Sequence, residues 1–279
     1  MIIIEMSGGL GNQMFQYALY LKLKSLGKDV RLDISNYKKK SKRKLELDVF
    51  DLKMRCILLP GQEKLKKIWL KLNGIRNIYF DEIGVYQPQI YDLDDVFLRG
   101  YWQNETYFAD IRDNVLEVFS FKKNISQMNQ NIATKMQHEN SVSVHIRRGD
   151  YLNSQFVNIY GNICTLEYYQ KAIAYMKTNM SEPHFYFFSD DTHWVREHVG
   201  EFGLLEHQIT IIEDNIGDRS FVDLYLMSNC RSHIIANSTF SWWGAWLGNN
   251  EDKIVVAPGK WFQNHETTDI ICDDWIKIS

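Results

Sequence analysis

The sequence has no closely spaced cysteine pair. Cys56, Cys164, Cys230 and Cys272 lie far apart, with no Cys-x-x-Cys and no Cys/His pairing at zinc spacing. That excludes a disulfide framework and a structural zinc module, and it reads as reduced, mostly buried thiols in a cytosolic protein. No stretch approaches the roughly 18 apolar residues that a spanning helix needs. The start, MIIIEMSGGLG, lacks the basic and long apolar regions of a signal peptide. Charge of one sign is not in excess: 35 acidic residues face 32 basic ones, for a net charge of −3. Nucleic-acid binding by bulk charge is thereby excluded. There is no internal repeat and no low-complexity linker.

What is present is ordinary for a folded chain. The 279 residues are 45% hydrophobic and 24% charged, enough to bury a substantial core without metal or disulfide staples. At about 150 residues per domain, this length suggests two domains. One local exception to the balanced charge is Lys38–Lys44, which reads KKKSKRK. It is either a solvated loop or a patch for anionic lipid or an anionic glycan carrier.

Short apolar runs recur, each ending in polar residues or glycine. They begin at Ile2, Val30, Val142, His184, Ile209, His233 and Ile254, and they have strand length and composition. Helical spacing lies between them. Leu10, Met14, Tyr17, Ala18, Leu21 and Ser25 form one stripe that leaves Lys22, Lys24 and Lys28 outside, with Gly27 as a C-cap. Gln62–Leu72, Leu166–Lys177 and Phe221–Cys230 are further helix candidates. Strands alternating with helices imply an α/β protein with mostly parallel sheets. The polar stretch Asn124–Asn140 is the expected domain boundary, giving domains 1–140 and 141–279. Ligands of such sheets bind beyond the carboxyl ends of the strands, so the clusters after each strand are where chemistry is expected.

Four clusters stand out. Ser7-Gly8-Gly9-Leu10-Gly11-Asn12-Gln13-Met14 follows the first strand and opens a helix. It fits neither a dinucleotide fingerprint, because position 14 is Met, nor a Walker A loop. It is either a tight turn or a ligand turn whose Asn12 and Gln13 amides bond sugar hydroxyls or phosphate. His145-Ile146-Arg147-Arg148-Gly149-Asp150-Tyr151 ends another strand. Its guanidinium groups suit a phosphate, since the planar fork can hold two oxygens at once. The structural alternative for Arg148 is an ion pair with Asp150. Phe188-Ser189-Asp190-Asp191 carries paired acids that bind a metal or cap the next helix, and Asp92-x-Asp94-Asp95 is a second acidic group. Neither has ligands at metal spacing nearby. Asn237-Ser238-Thr239-Phe240-Ser241-Trp242-Trp243-Gly244-Ala245-Trp246 enters a helix whose start can bind phosphate, with its tryptophans packing the core. Gly-x-Ser-x-Gly is absent, and Cys164 reads as a packing residue.

In their joint order GGLGNQMFQYA, HIRRGDY, FSDD and NSTFSWWGAWLG resemble glycosyltransferase family 11, the α-1,2-fucosyltransferases, in a compact bacterial form. The resemblance spans residues 1 to about 262 and is weak over 36–140. It implies a GT-B-like α/β fold: two Rossmann-like domains facing a central cleft, an acceptor-side domain and then a nucleotide-binding one. A last helix has the option of packing back on the first domain. It implies GDP-fucose as donor, the 2-hydroxyl of a terminal β-galactose as acceptor, inversion at the anomeric carbon, and no metal or other cofactor. Animal members carry an N-terminal anchor. Its lack here suggests a bacterial cytosolic enzyme of surface-polysaccharide synthesis, with Lys38–Lys44 as a candidate peripheral membrane contact.

By the same resemblance, Arg147 grips the β-phosphate, and Ser238, Thr239, Phe240 and Ser241 form a second phosphate turn. His145 lies on the guanosine side. Asp223 matches an acid that accepts from guanine, the alternative being a surface acid on a helix. Asn12 lies near the donor phosphates or the acceptor. The remaining substrate-side expectations are Gly11, Gln13, Arg148, Asp190 and Asn237. Inversion by single displacement needs a base at the acceptor hydroxyl. Asp150 is the first choice, Glu5, Asp190 and Asp191 are alternatives, and a site with no obvious base is a further one. The rival readings are a transferase using another sugar nucleotide and a non-catalytic nucleotide- or glycan-binding protein.

Overall fold

The computed structural model describes residues 1–38, 43–121, 125–149, 151, 156–264 and 269–279. Asp150 and residues 39–42 of the basic run lie outside them. The chain forms two compact units, Met1–Lys123 and Asn124–Ser279.

The first unit is built on five parallel strands: β1 (Ile2–Glu5), β2 (Val30–Asp33), β3 (Cys56–Ile57), β4 (Asn77–Phe80) and β5 (Val96–Arg99), in the order β3-β2-β1-β5-β4. Ile2, Ile3 and Ile4 are wholly buried, as a central parallel strand covered on both faces requires. Helix α1 (Leu10–Ser25) follows β1. It is buried nearly all round rather than along one stripe, because it lies within the unit. Lys22, expected outside the stripe, is buried and pairs with Asp110. Helix α2 (Glu63–Leu72) and helix α3 (Arg112–Val118) complete the helices.

The second unit carries six parallel strands: β6 (Ser141–Ile146), β7 (His184–Ser189), β8 (Ile209–Ile212), β9 (Ser232–Ile234), β10 (Val255–Pro258) and β11 (Ile276–Ile278). Their order is β11-β10-β9-β6-β7-β8. Its helices are α4 (Gln127–His138), α5 (Val157–Tyr160), α6 (Leu166–Asn179), α7 (Thr192–His198), α8 (Phe221–Ser228) and α9 (Thr239–Leu247). Every residue of β6 is buried, so its polar members need internal partners. The Ser141 hydroxyl donates to the Met136 carbonyl at 2.6 Å, and Ser143 Oγ lies 2.8 Å from His233 Nδ1. Trp242, Trp243 and Trp246 are buried against one another.

Two expectations are corrected. The units divide ahead of α4 rather than after it at 140. The reason is local: α4 packs on α8, and Asn129 donates to Asn215 at 3.4 Å. The last element is also not a helix. β11 pairs with β10, with Ile276 opposite Val256, so it extends the second sheet. Two parallel α/β units, one after the other along the chain, are the building blocks of the GT-B-like fold that the sequence resemblance implied.

Candidate active site

In each sheet the strands that follow the first one fall on both sides of it. In the second unit the switch of sides lies between β6 and β9, and an open parallel sheet leaves its ligand crevice at such a point. Two of the sequence clusters meet there. The His145 ring at the end of β6 lies 5.9 Å, centroid to centroid, from the Phe240 ring in the first turn of α9. Ser238 is the N-cap residue of α9, yet its hydroxyl makes no capping bond. Ser241 Oγ donates to the Ser238 carbonyl at 3.2 Å, which steadies the turn.

Arg147 and Arg148 leave β6 in sequence and are held by different acids from β7. Asp190 Oδ2 lies 3.1 Å from Arg147 Nη1, while Asp190 Oδ1 accepts from the Arg148 backbone N–H at 2.9 Å. A Cβ on Gly149 would sit 2.4 Å from Asp190 Oδ2, so a side chain there would have to displace the carboxylate that holds Arg147. Arg147 also lies over the Tyr151 ring at 5.7 Å. The structural partner of Arg148 is Asp191, at 3.2 Å from Nε, and its guanidinium stacks 4.2 Å from the Trp194 centroid. Asp191 also caps α7 by accepting from Trp194 N–H at 3.1 Å. The paired acids are thus spent on arginines and a helix cap.

His145 is buried, and its Nδ1 has no partner among the described residues. Burial, and secondarily the Arg147 charge, push its pKa down to about 3. The ring is neutral at physiological pH and holds an unmet polar atom beside the crevice. Asp223, on α8, accepts from Asn215 Nδ2 at 2.8 Å. Burial nevertheless pushes its carboxyl up to about 7, poised between acid and base.

Asn237 is placed otherwise than expected. Its amide donates to the carbonyls of Tyr160 and Trp261, both at 3.1 Å. It also accepts from Cys164 Sγ at 3.5 Å. It is a strut beneath the turn, not a group aimed outward.

In the first unit the switch lies between β1 and β5. The start of α1 is already occupied by the chain's own carboxylate: Leu10 N–H donates to Glu46 Oε2 at 3.1 Å. Gln13 is fully buried and donates to the carbonyls of Gly8 (3.0 Å) and Lys44 (2.9 Å). It also accepts from Glu46 N–H at 2.8 Å. Gln13 therefore braces the glycine turn from within. Gly11 is buried in the first turn of α1. Asn12 Oδ1 accepts from Gln103 Nε2 at 2.8 Å.

Gln103 belongs to a turn that follows β5. Asp81, just beyond β4, accepts from the backbone N–H groups of Tyr101 (3.0 Å) and Trp102 (2.9 Å). Gly100 has φ +152°, and a Cβ there would overlap the Asp81 Cβ at 2.0 Å. Trp102, wholly buried, is held at φ +58°. The readable signal is Gly100 shortly after Val96-Phe97-Leu98, the apolar-run-then-glycine punctuation also found after β1. Glu5 is engaged as well: Oε1 lies 3.1 Å from Lys66 Nζ and Oε2 lies 3.0 Å from Arg99 Nε.

Parallel sheets with cations and a helix start gathered at a strand switch form a crevice suited to an anionic ligand. The sequence profile of Glycosyl transferase family 11 matches residues 1–279. The chain belongs to that family and is a glycosyltransferase. It is 35% identical to an α-1,2-colitosyltransferase of Escherichia coli, over 99% of this chain and 98% of that one. It is 31% identical to the O-antigen biosynthesis glycosyltransferase WbnK of E. coli, over 98% and 99%. A galactoside α-(1,2)-fucosyltransferase 2 of Hylobates lar is 26% identical over 58% of this chain and 48% of its own length. No described helix is long and apolar enough to cross a membrane.

Proposed function

We propose that the protein is an inverting, metal-independent α-1,2-fucosyltransferase. It would move L-fucose from GDP-fucose to the 2-hydroxyl of a terminal β-galactose in a bacterial surface glycan. The observation that carries this reading is the meeting, through His145 and Phe240, of the α9 start with the end of β6, the strand that Arg147 follows, at one switch point. In the reaction the fucosyl C1–phosphate oxygen bond breaks and a bond from the acceptor oxygen to C1 forms. Negative charge builds on the departing GDP. Arg147, with Arg148, the α9 N-terminus and Ser238, Thr239 and Ser241, neutralises that charge.

The unmet Nδ1 of His145 and the carboxyl of Asp223 are assigned to the nucleoside side. Asp223 would accept from guanine N–H groups when ionised. Asp150 is assigned as the base that takes the acceptor proton. Asn12, oriented by Gln103, is assigned to the acceptor or phosphates. The names of the relatives support the α-1,2 linkage and O-antigen chemistry.

The testing measurement is GDP release from GDP-fucose in EDTA, with and without lactose. Galactoside-dependent release is the expected result, and a donor that neither binds nor releases GDP overturns the reading. A second reading, transfer of colitose, is favoured by the 35% identity to the colitosyltransferase. Colitose is the 3-deoxy counterpart of fucose, so a preference for GDP-colitose over GDP-fucose in competition would select it.

A further inference from the structure

Helix α2 turns a narrow face inward. Lys66 and Leu70, one turn apart, are buried, and Leu70 packs with Ile3, Leu59, Ile75 and Phe97. The far side carries Leu65, Ile68 and Leu72, at the i, i+3, i+7 spacing of one helical face. They are 48%, 48% and 81% exposed. An apolar stripe with helical period that faces water marks a contact surface.

Beside that stripe, about 100° around the helix, runs a second line with the same spacing. It consists of Lys64, Lys67 and Lys71, all exposed. The one acid of the helix, Glu63, pairs with Arg99 at 3.0 Å and offsets Lys67 only in part by its field, so the line keeps a net positive charge. A further lysine lies off the helix. Lys38 Nζ donates to the Leu59 carbonyl at 3.0 Å, next to Leu58, which is 63% exposed. A chain of net charge −3 thus concentrates positive charge along one apolar edge.

We propose that α2 is a membrane-surface helix that docks the first unit on a bilayer leaflet rich in anionic phospholipid. Leu65, Ile68 and Leu72 seat at the headgroup–acyl boundary, and Lys64, Lys67 and Lys71 lie against lipid phosphates. Charge complementarity selects this occupant. A lysine line along the full helix matches a sheet of negative headgroups, and apolar and basic faces side by side are what an interfacial helix presents. The inference concerns a face distinct from the candidate active site and holds for any donor sugar.

The test is co-sedimentation of the full chain with phosphatidylglycerol-containing vesicles and with phosphatidylcholine vesicles, at low and high salt. The expected result is retention on the anionic vesicles alone, reversed by salt. Each lysine near an anionic leaflet is worth about fivefold in partitioning. K64E/K67E/K71E should therefore lower retention by about a hundredfold or more, and L65Q/I68Q/L72Q by about tenfold or more. Both should keep the wild-type thermal midpoint, because none of the six side chains is buried. Three results overturn the proposal: no retention of the wild type; retention unchanged in both variants, which places the contact elsewhere; or a wild-type dimer, split by the glutamine variant, with no vesicle binding.

Discussion

The Asp190 carboxylate lies 3.1 Å from the Arg147 guanidinium and accepts from the next residue's backbone N–H with its other oxygen. One acid from β7 thus fixes both the direction of the β6 turn and the side chain proposed to meet the departing phosphate. Preorganised charge of this kind acts without reorganising during the reaction.

Removing Arg147 should cost about 3–4 kcal/mol of transition-state stabilisation, or 10²–10³ in kcat, by analogy with a lost oxyanion donor. R147K should recover little, because an ammonium cannot present the planar fork. D190N should lower kcat about tenfold while leaving the GDP dissociation constant nearly unchanged. Steady-state rates with GDP-fucose and lactose, beside GDP titrations, check all three.

D150N should lower turnover by roughly 10²-fold or more, a typical general-base contribution, with GDP affinity unchanged. A variant with near wild-type turnover removes Asp150 from the role.

Asp223 gives a pH dependence with a definite sign. Its carboxyl is pushed up to about 7 in the folded protein, against an ordinary 3.8 in the unfolded chain. The folded state holds its proton more tightly, so this residue's contribution to stability is intact below about pH 4. It then falls as pH rises toward 7, by an amount on the order of a few kcal/mol. D223N should accordingly raise the thermal midpoint at pH 8 more than at pH 5. In the wild type, GDP affinity should rise from pH 5.5 to 7.5 as the carboxylate forms, and the D223N variant should lose that slope. Calorimetric titration across the range reads both effects.

Lys66 is the buried centre of a charge network, 3.1 Å from Glu5 and 3.0 Å from Asp33, which is fully buried. Breaking such a network at one member leaves uncompensated charge and costs about 3–5 kcal/mol. K66A should therefore shift the urea midpoint of the first unit strongly downward. K66M/D33N, which also neutralises Asp33, should recover part of the loss.

Much of the framework was legible in the sequence. Seven of the eleven strands among the described residues, and the helices at Leu10–Ser25, Glu63–Leu72 and Leu166–Asn179, follow from apolar runs and helical spacing. β3, β4, β5 and β11 were missed. β3 has only two residues and β11 three, too short for periodicity to register. β4 is half exposed on both faces and does not alternate cleanly.

The sequence by itself determined that the chain is α/β, that His145, Arg147 and Ser238–Ser241 sit at strand ends, and which family it resembles. These depend on the order of residue types along the chain. Only the tertiary structure decided which neighbours each polar group meets. Gln13 and Asn237 read as outward amides, yet each is drawn inward to backbone carbonyls. Glu46 closes the start of α1 across 36 positions of chain. Asp190 and Asp191 pair with arginines from a neighbouring strand. Those pairings follow from strand order, and strand order is set by how two buried sheet faces are covered, which no local stretch of sequence specifies.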